Sequence, residues 1–325
     1  MILALSPSGS WASQSEEAGH TRSILACDSD EDACGIASVS YLTVPGFVPL
    51  ADSGVVVANQ GFPHHATARS ILTLVKSGEP VGTALATALS TSPYPNRQQL
   101  AVVALDPGQP TGVARAAHTG SRLPRDCEVI GDTFVAVANT QTTPKMCNLM
   151  AELFVSTQGR LATRLLAALV GTSPEDGDVR GETSAALVVY SESWRFAALT
   201  PVSAIANVNR SRSWETDLHW DLVANLATDT PADPRDEILL TRTRAQRIQR
   251  ILKDLRFYDG AVNGEWSIEA ESSLVHFCIN NVFFVRRTAL REDEERYLDS
   301  VLIDYITLGY PRGILVDATG GRFGS

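Results

Sequence analysis

The chain has 325 residues, 44% of them hydrophobic and 20% charged, and a formal net charge of −10. This length predicts one large domain with a smaller one, and the apolar fraction excludes a disordered protein. Because nucleic acids and anionic lipids are negatively charged, the acidic balance indicates neither nucleic acid nor a membrane as a partner.

Residues 1–20 form a polar leader without the positive start or the roughly seven to fifteen apolar residues of a secretory signal. No window approaches the roughly twenty apolar residues of a membrane span. The sequence therefore predicts a cytoplasmic protein. Its five cysteines show no zinc-ligand spacing, so we expect buried thiols in a reducing compartment. Cys27 and Cys34 could lie near each other across a turn, but reduced thiols are favoured there too.

The predicted elements alternate in groups along the chain. Short apolar runs rich in valine, isoleucine and alanine predict strands at 21–27, 35–41, 53–60, 99–106, 111–120, 132–140, 184–192 and 194–200. Apolar spacing of three to four residues predicts helices at 64–79, 81–92, 145–158 and 160–173. Grouped strands and grouped helices favour an α+β fold with helices packed outside a pair of sheets, rather than a doubly wound parallel sheet.

The second part of the chain is more polar at its start. Residues 199–233 look irregular, so 199–243 is interpreted as a linker and connecting segment. Helical periodicity returns from 234 onward. We expect a small helical module over 244–290, followed by a C-terminal helix and tail over 291–325.

Several short sequence patches between residues 21 and 190 resemble segments of one family and occur in the same order. TRSILACD, GIASVSYLTVPGFVP, AHTG at 117–120 and GDVRGETSAAL at 177–187 are the main ones. Together they are similar to an Ntn-hydrolase-like family of unknown function, DUF1028. The matching residues are Thr21, Ser23, Asp28, Ser40, Gly46, Pro49, Gln60, Asn139, Gly177, Asp178, Arg180, Gly181, Ser184 and Ala185. Arg22, Cys27 and Ala138 depart from the family pattern. The resemblance implies an αββα sandwich over residues 21–198.

A second resemblance covers the helical module. The segment RIQRILKDLRFYDGAVNGEWSIEAESSLVHF is similar to a three-helix peptidoglycan-binding-like module. From the residues alone, Asp259-Gly260 and Asn263-Gly264 are turn signals between two amphipathic helices, and Trp266 would be a core aromatic. A structural or docking role is favoured over wall binding.

The first resemblance implies amide hydrolysis by an N-terminal nucleophile. An α-amino group titrates near pH 8 and can act as the base for its own residue's hydroxyl. Thr21 would be the nucleophile once residues 1–20 are removed, or if translation starts later; otherwise it is an ordinary first residue of a strand. Ser23 shares the face of Thr21 in a strand and could bond to it, or be inert. Asn139 could donate to an oxyanion or cap a turn.

Asp178, Arg180 and the histidines are the remaining candidate site residues. Asp178 and Arg180 could orient a free amine or a substrate carboxylate, or form an ion pair that stabilises a loop. His118 is the one histidine considered for acid-base work, but the family often has an aromatic residue there, which favours packing. Adjacent His64 and His65 diverge on a helix, so no metal site is predicted. The sequence contains no motif that implies a cofactor.

The sequence thus predicts an amide hydrolase acting on a small acylated or peptide-like substrate, with homo-oligomerisation, a homodimer in particular, as a possibility. One alternative is a non-catalytic scaffold of the same fold. Another is a glycan- or peptide-binding protein that acts through residues 244–290.

Overall fold

The computed structural model describes residues 21–41, 49–52, 54–172, 182–191, 202–208, 214–229, 233–281, 285–290 and 295–322. The leader at 1–20, the predicted strand at 194–200, Asp178 and Arg180 lie outside the described residues. No helix in the described ranges is long and apolar enough to cross a membrane.

Thirteen strands occur in these ranges. They are β1 Thr21–Asp28, β2 Ala33–Ser40, β3 Pro49–Asp52, β4 Val55–Gly61, β5 Gln98–Leu105, β6 Val113–Thr119, β7 Cys127–Ile130, β8 Phe134–Ala138, β9 Ser184–Ser191, β10 Val202–Val208, β11 Glu237–Leu239, β12 Ala289–Leu290 and β13 Arg296–Asp299.

The same ranges contain eight α-helices. They are α1 His65–Lys76, α2 Val81–Ser90, α3 Met146–Ser156, α4 Leu161–Val170, α5 Trp214–Asp229, α6 Arg242–Asp254, α7 Ile268–Asn281 and α8 Ser300–Gly309.

The strands form three antiparallel sheets. A six-stranded sheet has the order β10-β9-β2-β1-β8-β7, and a four-stranded sheet has the order β3-β4-β5-β6. A small third sheet, β11-β13-β12, belongs to the C-terminal part. All strand pairs in these sheets are antiparallel. The predicted α+β class is therefore confirmed.

The two larger sheets pack face to face through small apolar side chains. Alternate residues of β1 and β2, such as Leu25 and Ile36, form one buried cluster with Val56, Ala58 and Val103 of the other sheet. The remaining alternate residues point away from this interface, as strand geometry requires.

Helices cover the outer faces of both sheets. Helices α1 and α2 pack on the four-stranded sheet around Ile71 and Leu85, whereas α3 and α4 pack on the six-stranded sheet around Met150 and Leu165. Gly35 permits this contact, because a Cβ atom built there would lie 2.7 Å from Leu165 Cδ1. Helix α4 therefore approaches β2 closely.

Residues 199–233 were the least well predicted part. They contain β10 and α5 within the described ranges, whereas the sequence indicates an irregular segment. Helix α5 buries Leu218, Leu222, Val223 and Leu226, which recur at helical spacing. The prediction was wrong because polar residues between these positions mask a narrow apolar stripe.

The C-terminal helices share a core with the larger part of the chain. One continuous buried cluster runs from the outer face of the six-stranded sheet through α5 to α6, α7 and α8. Leu222 of α5, Leu252 of α6, Phe277 of α7 and Ile306 of α8 all belong to it. The small C-terminal part is thus packed against the sheet through α5.

Four of the five cysteines are paired, which corrects the prediction of reduced thiols. Cys27 and Cys34, directly opposite in the β1–β2 register, form one disulfide with a Cα–Cα distance of 4.0 Å. Cys127 of β7 and Cys147 of α3 form the other. Cys278 is a buried free thiol, and burial raises its pKa to about 11. Sequence reasoning missed the pairs because neither register nor the α3 position can be inferred from spacing.

Candidate active site

Thr21 begins the central strand of the six-stranded sheet and faces the other sheet. It pairs with Ser40 of β2, and its Oγ1 donates a hydrogen bond of 3.2 Å to Ser40 Oγ. Only 3% of Thr21 is exposed. The hydroxyl is therefore held between the sheets by a neutral partner.

Ser23 lies on the same face as Thr21, two residues along the strand. Its Oγ is 2.8 Å from Ser38 Oγ and donates a 2.6 Å hydrogen bond to Gln60 Oε1. Its hydrogen bonds thus run to β2 and to the opposite sheet, and its link to Thr21 passes through Gln60.

Gln60 and Gln99 join the two sheets at this end. They are cross-strand neighbours on β4 and β5, and Gln60 Nε2 donates to Gln99 Oε1 at 2.7 Å. Gln60 Nε2 also donates to the carbonyl oxygen of Thr21 at 3.1 Å, and Gln99 Nε2 donates to that of Ala138 at 3.2 Å. These amides fix the first residues of β1 against the end of β8.

Asn139 follows β8 directly and completes the cluster. Its backbone N–H donates to the Thr21 carbonyl oxygen at 3.1 Å, and its Nδ2 donates to Gln99 Oε1 at 3.0 Å. Gln141 Nε2 in turn donates to the Asn139 carbonyl oxygen at 2.8 Å. The sequence-predicted residues Thr21, Ser23 and Asn139 therefore share one buried cluster.

Two acceptors in this cluster have no hydrogen-bond donor among the described residues. They are Asn139 Oδ1 and Gln141 Oε1, on side chains that are 0% and 1% exposed. A buried polar atom without a partner costs about 1–3 kcal/mol, so most such atoms in proteins are paired. The cluster thus has unused acceptor capacity beside the first residue of β1.

Arg22 points to the opposite face of the sheet from Thr21. Its guanidinium forms a 2.7 Å ion pair with Glu182 and donates from Nη2 to the Leu169 carbonyl oxygen at 3.2 Å. Because it is fully buried, this arginine ties β1 to the end of α4 and to the start of the segment before β9. Asp178 and Arg180 precede Glu182 and lie outside the described residues.

His118 and His64 have local partners. His118 Nε2 lies 2.8 Å from the Pro95 carbonyl oxygen, and His64 Nδ1 lies 2.8 Å from Thr67 Oγ1. In the described part of the chain, no three histidine, cysteine, aspartate or glutamate side chains converge as a metal site would require.

Gln99 was missed from the sequence, and Gln60 was noted only as a family match. Both occur at the polar ends of largely apolar strands, beside Asn59 and Gln98, and both are at most 1% exposed. Glutamine is rarely buried without a hydrogen-bond partner. Polar residues at the ends of two apolar strands are therefore the sequence signal by which this buried cluster could have been found. That signal gives no information about which residues lie opposite each other.

These features define an α+β protein in which two antiparallel sheets enclose a neutral cluster of hydroxyl and amide side chains at the start of the central strand. The model of a family of unknown function, DUF1028, matches residues 21–228. The chain belongs to this family.

A solved structure agrees with this assignment. The crystal structure of protein SPO2555 from Silicibacter pomeroyi, also of family DUF1028, is 26% identical to the chain with a TM-score of 0.50. The similarity covers 59% of this chain and 82% of that one. No curated protein matches the chain.

Proposed function

We propose that the chain is an N-terminal-nucleophile amide hydrolase in which Thr21 Oγ1 attacks the substrate carbonyl after residues 1–20 have been removed. The observation that carries this proposal is the position of Thr21. It is the first residue of the central strand and of the family match, with its hydroxyl held in a buried cluster of neutral hydrogen-bonding groups. The two facing sheets covered by helices support an Ntn-type αββα sandwich.

The cluster around Thr21 lacks a general base, and removal of the leader would supply one. Thr21 Oγ1, Ser40, Ser23, Gln60, Gln99 and Asn139 include no group that ionises near neutral pH. A freed α-amino group at Thr21 would titrate near pH 8 and could take the hydroxyl proton directly. The unpaired Asn139 Oδ1 is an acceptor that could orient that amine.

The reaction follows from these assignments. The amine takes the proton of Oγ1 as Oγ1 bonds to the carbonyl carbon, and the resulting ammonium returns a proton to the leaving nitrogen as the C–N bond breaks. Water then hydrolyses the ester on Thr21. The second N–H of Asn139 Nδ2 is a donor for the oxyanion, a contribution often worth about 3–4 kcal/mol elsewhere.

The substrate we propose is a small acylated or peptide-like amide, bound without a cofactor. Asp178 and Arg180 stay candidates for binding a charged group of that substrate, as the sequence suggests. The possible homodimer is likewise a proposal, tested by measuring the molar mass of the protein in solution.

Turnover of a panel of small acyl-amides by the processed protein tests this function. Thr21→Ala is expected to lower kcat by at least about a thousandfold, because the attacking oxygen is removed. Thr21→Ser keeps the hydroxyl and should retain part of the activity. Ser156→Ala, an exposed hydroxyl on α3, is the matched control. Equal turnover by Thr21→Ala and the unchanged protein would refute the proposal.

A non-catalytic scaffold of the same fold is the second candidate. The observation that favours it is the 3% exposure of Thr21, whose hydroxyl already has a partner in Ser40. The scaffold hypothesis requires that residues 1–20 remain attached and that Thr21→Ala leaves partner binding unchanged.

Residues 244–290 are proposed to be the peptidoglycan-binding-like module. Gln249 supports this, because its side chain spans the turn by accepting from Gly264 N at 2.9 Å and donating to the Glu265 carbonyl oxygen at 2.8 Å. A docking role for this module stays a prediction. Its deletion should remove binding to a partner if docking is its role.

The location of the protein also stays open to test. The sequence predicts the cytoplasm, whereas two disulfides favour an oxidising compartment. We propose the oxidising compartment, because disulfides that persist in a folded protein are rare in a reducing one.

A further inference from the structure

A cavity of about 450 Å³ lies in the C-terminal part, among residues that the proposed hydrolase site does not use. Helix α7 contributes Glu271, Ser272 and His276, and the chain around β12 and β13 contributes Arg287, Thr288 and Arg296. Pockets for small ligands commonly have volumes of about 300–1,000 Å³. The cavity is therefore large enough for a ligand rather than for a single water molecule.

Glu271 is the acidic residue of this cavity, and its oxygens are already occupied. Oε2 accepts from Trp266 Nε1 at 2.8 Å and from the Thr288 hydroxyl, whereas Oε1 accepts from Thr288 N at 3.1 Å. The carboxylate thus clamps α7 to the segment before β12. Its oxygens accept from these neutral groups, and no ion pair joins it to Arg287 or Arg296 among the described residues.

The two arginines of the cavity keep unused donors. Arg287 is exposed, and the structure gives it no ion pair with a carboxylate of the described residues. Arg296 Nη1 donates only a 3.4 Å hydrogen bond to the neutral Thr288 Oγ1. Since each guanidinium carries five N–H donors, most of them are free to bind a ligand.

The charge of the cavity contrasts with that of the chain. The protein carries a net charge of −10, yet two guanidiniums and a single carboxylate line one concave surface, together with an imidazole and two hydroxyls. Guanidinium groups bind carboxylates and phosphates through paired, charge-assisted hydrogen bonds. A neutral ligand would accept only weaker, uncharged hydrogen bonds from these donors.

We propose that this cavity binds a small molecule or chain end through an oxyanion, a carboxylate or a phosphate, held by Arg287 and Arg296. Ser272 and the His276 imidazole line the rest of the space and contact the uncharged remainder of the ligand. The site is independent of the proposed hydrolase activity, because it shares no residue with the cluster around Thr21.

Titration calorimetry on the full chain at fixed ionic strength tests the proposal. The probes are succinate, inorganic phosphate and the neutral analogue succinamide. Arg287→Gln and Arg296→Gln should each weaken binding of the oxyanion about tenfold, since each removes charge-assisted hydrogen bonds. Arg250→Gln, which removes an exposed arginine of α6 outside the cavity, is the matched control for net charge.

The result expected is saturable binding of succinate or phosphate, weakened by both cavity substitutions and unchanged in Arg250→Gln. The probe that saturates the site then identifies the oxyanion as carboxylate or phosphate. Three results would overturn the proposal. They are the absence of saturation by both anions, binding by Arg287→Gln and Arg296→Gln that equals that of the unchanged protein, and succinamide binding as tightly as succinate.

Discussion

Gln60 and Gln99 illustrate what a sequence reveals about a buried site and what it leaves out. The polar residues can be recognised where they interrupt apolar strands. Their contact with each other depends on the register of β4 against β5, and their contact with Thr21 depends on how the two sheets stack. Both are non-local properties, so the residues of the site could be named in part while the hydrogen-bond network could not.

Asp236 is the residue at which we expect the clearest dependence of stability on pH. Its carboxylate is buried, with Oδ2 2.5 Å from Arg160 Nε, and burial raises its pKa to about 6. The nearby carboxylates of Asp299 and Asp233 also raise this pKa, and Arg160 opposes the shift. A folded-state pKa above the unfolded value means that the folded state binds more protons between about pH 4 and pH 6. This group's contribution to stability is therefore present below pH 4 and is lost as the pH rises to 6.

Asp236→Asn should remove that dependence. The free energy of unfolding of the variant, relative to that of the unchanged protein, should rise between pH 4 and pH 6 by on the order of 3 kcal/mol. Urea unfolding at several pH values measures it. Asp259→Asn, an exposed carboxyl, is the control. A difference between Asp236→Asn and the unchanged protein that stays constant over this range would contradict the account.

At the scale of elements, strong local periodicity was sufficient to predict most strands and helices in the larger part of the chain. Strands β1, β2, β4 and β5 and helices α1 to α4 follow apolar patterns that the sequence displays directly. Helix α5 and strand β7 do not, because a narrow stripe and a four-residue strand give little local signal. Their places depend on packing against elements distant in sequence.

Disulfides are the element-scale feature with the most direct test. Cys27–Cys34 joins β1 to β2, and Cys127–Cys147 joins β7 to the start of α3, so the second closes the loop that carries Asn139. Protein purified from its own host, denatured without reductant and alkylated, should carry one modified cysteine, Cys278. After reduction, all five cysteines should be modified. Five modified cysteines without reduction would contradict the disulfides and favour the cytoplasm.

At the scale of the whole molecule, the C-terminal helices and the outer face of the six-stranded sheet share one buried core. Buried ion pairs accompany this contact, since Arg160 of the larger part meets Asp236, and Arg286 meets Asp299 within the C-terminal part. The grouping of strands and helices predicted the α+β class, because layers follow from element order. The continuity of the core through α5 could not be predicted, because it required knowing that α5 exists.

The central claim is that Thr21 becomes the first residue of the active protein, and intact mass is the most direct measurement of it. The protein should be purified from its own host and its mass compared with those of the full chain and of a chain beginning at Thr21. The account predicts the shorter mass, with a free α-amino group at Thr21. A mass that retains residues 1–20 in the purified protein would contradict the N-terminal nucleophile and leave the scaffold as the better account.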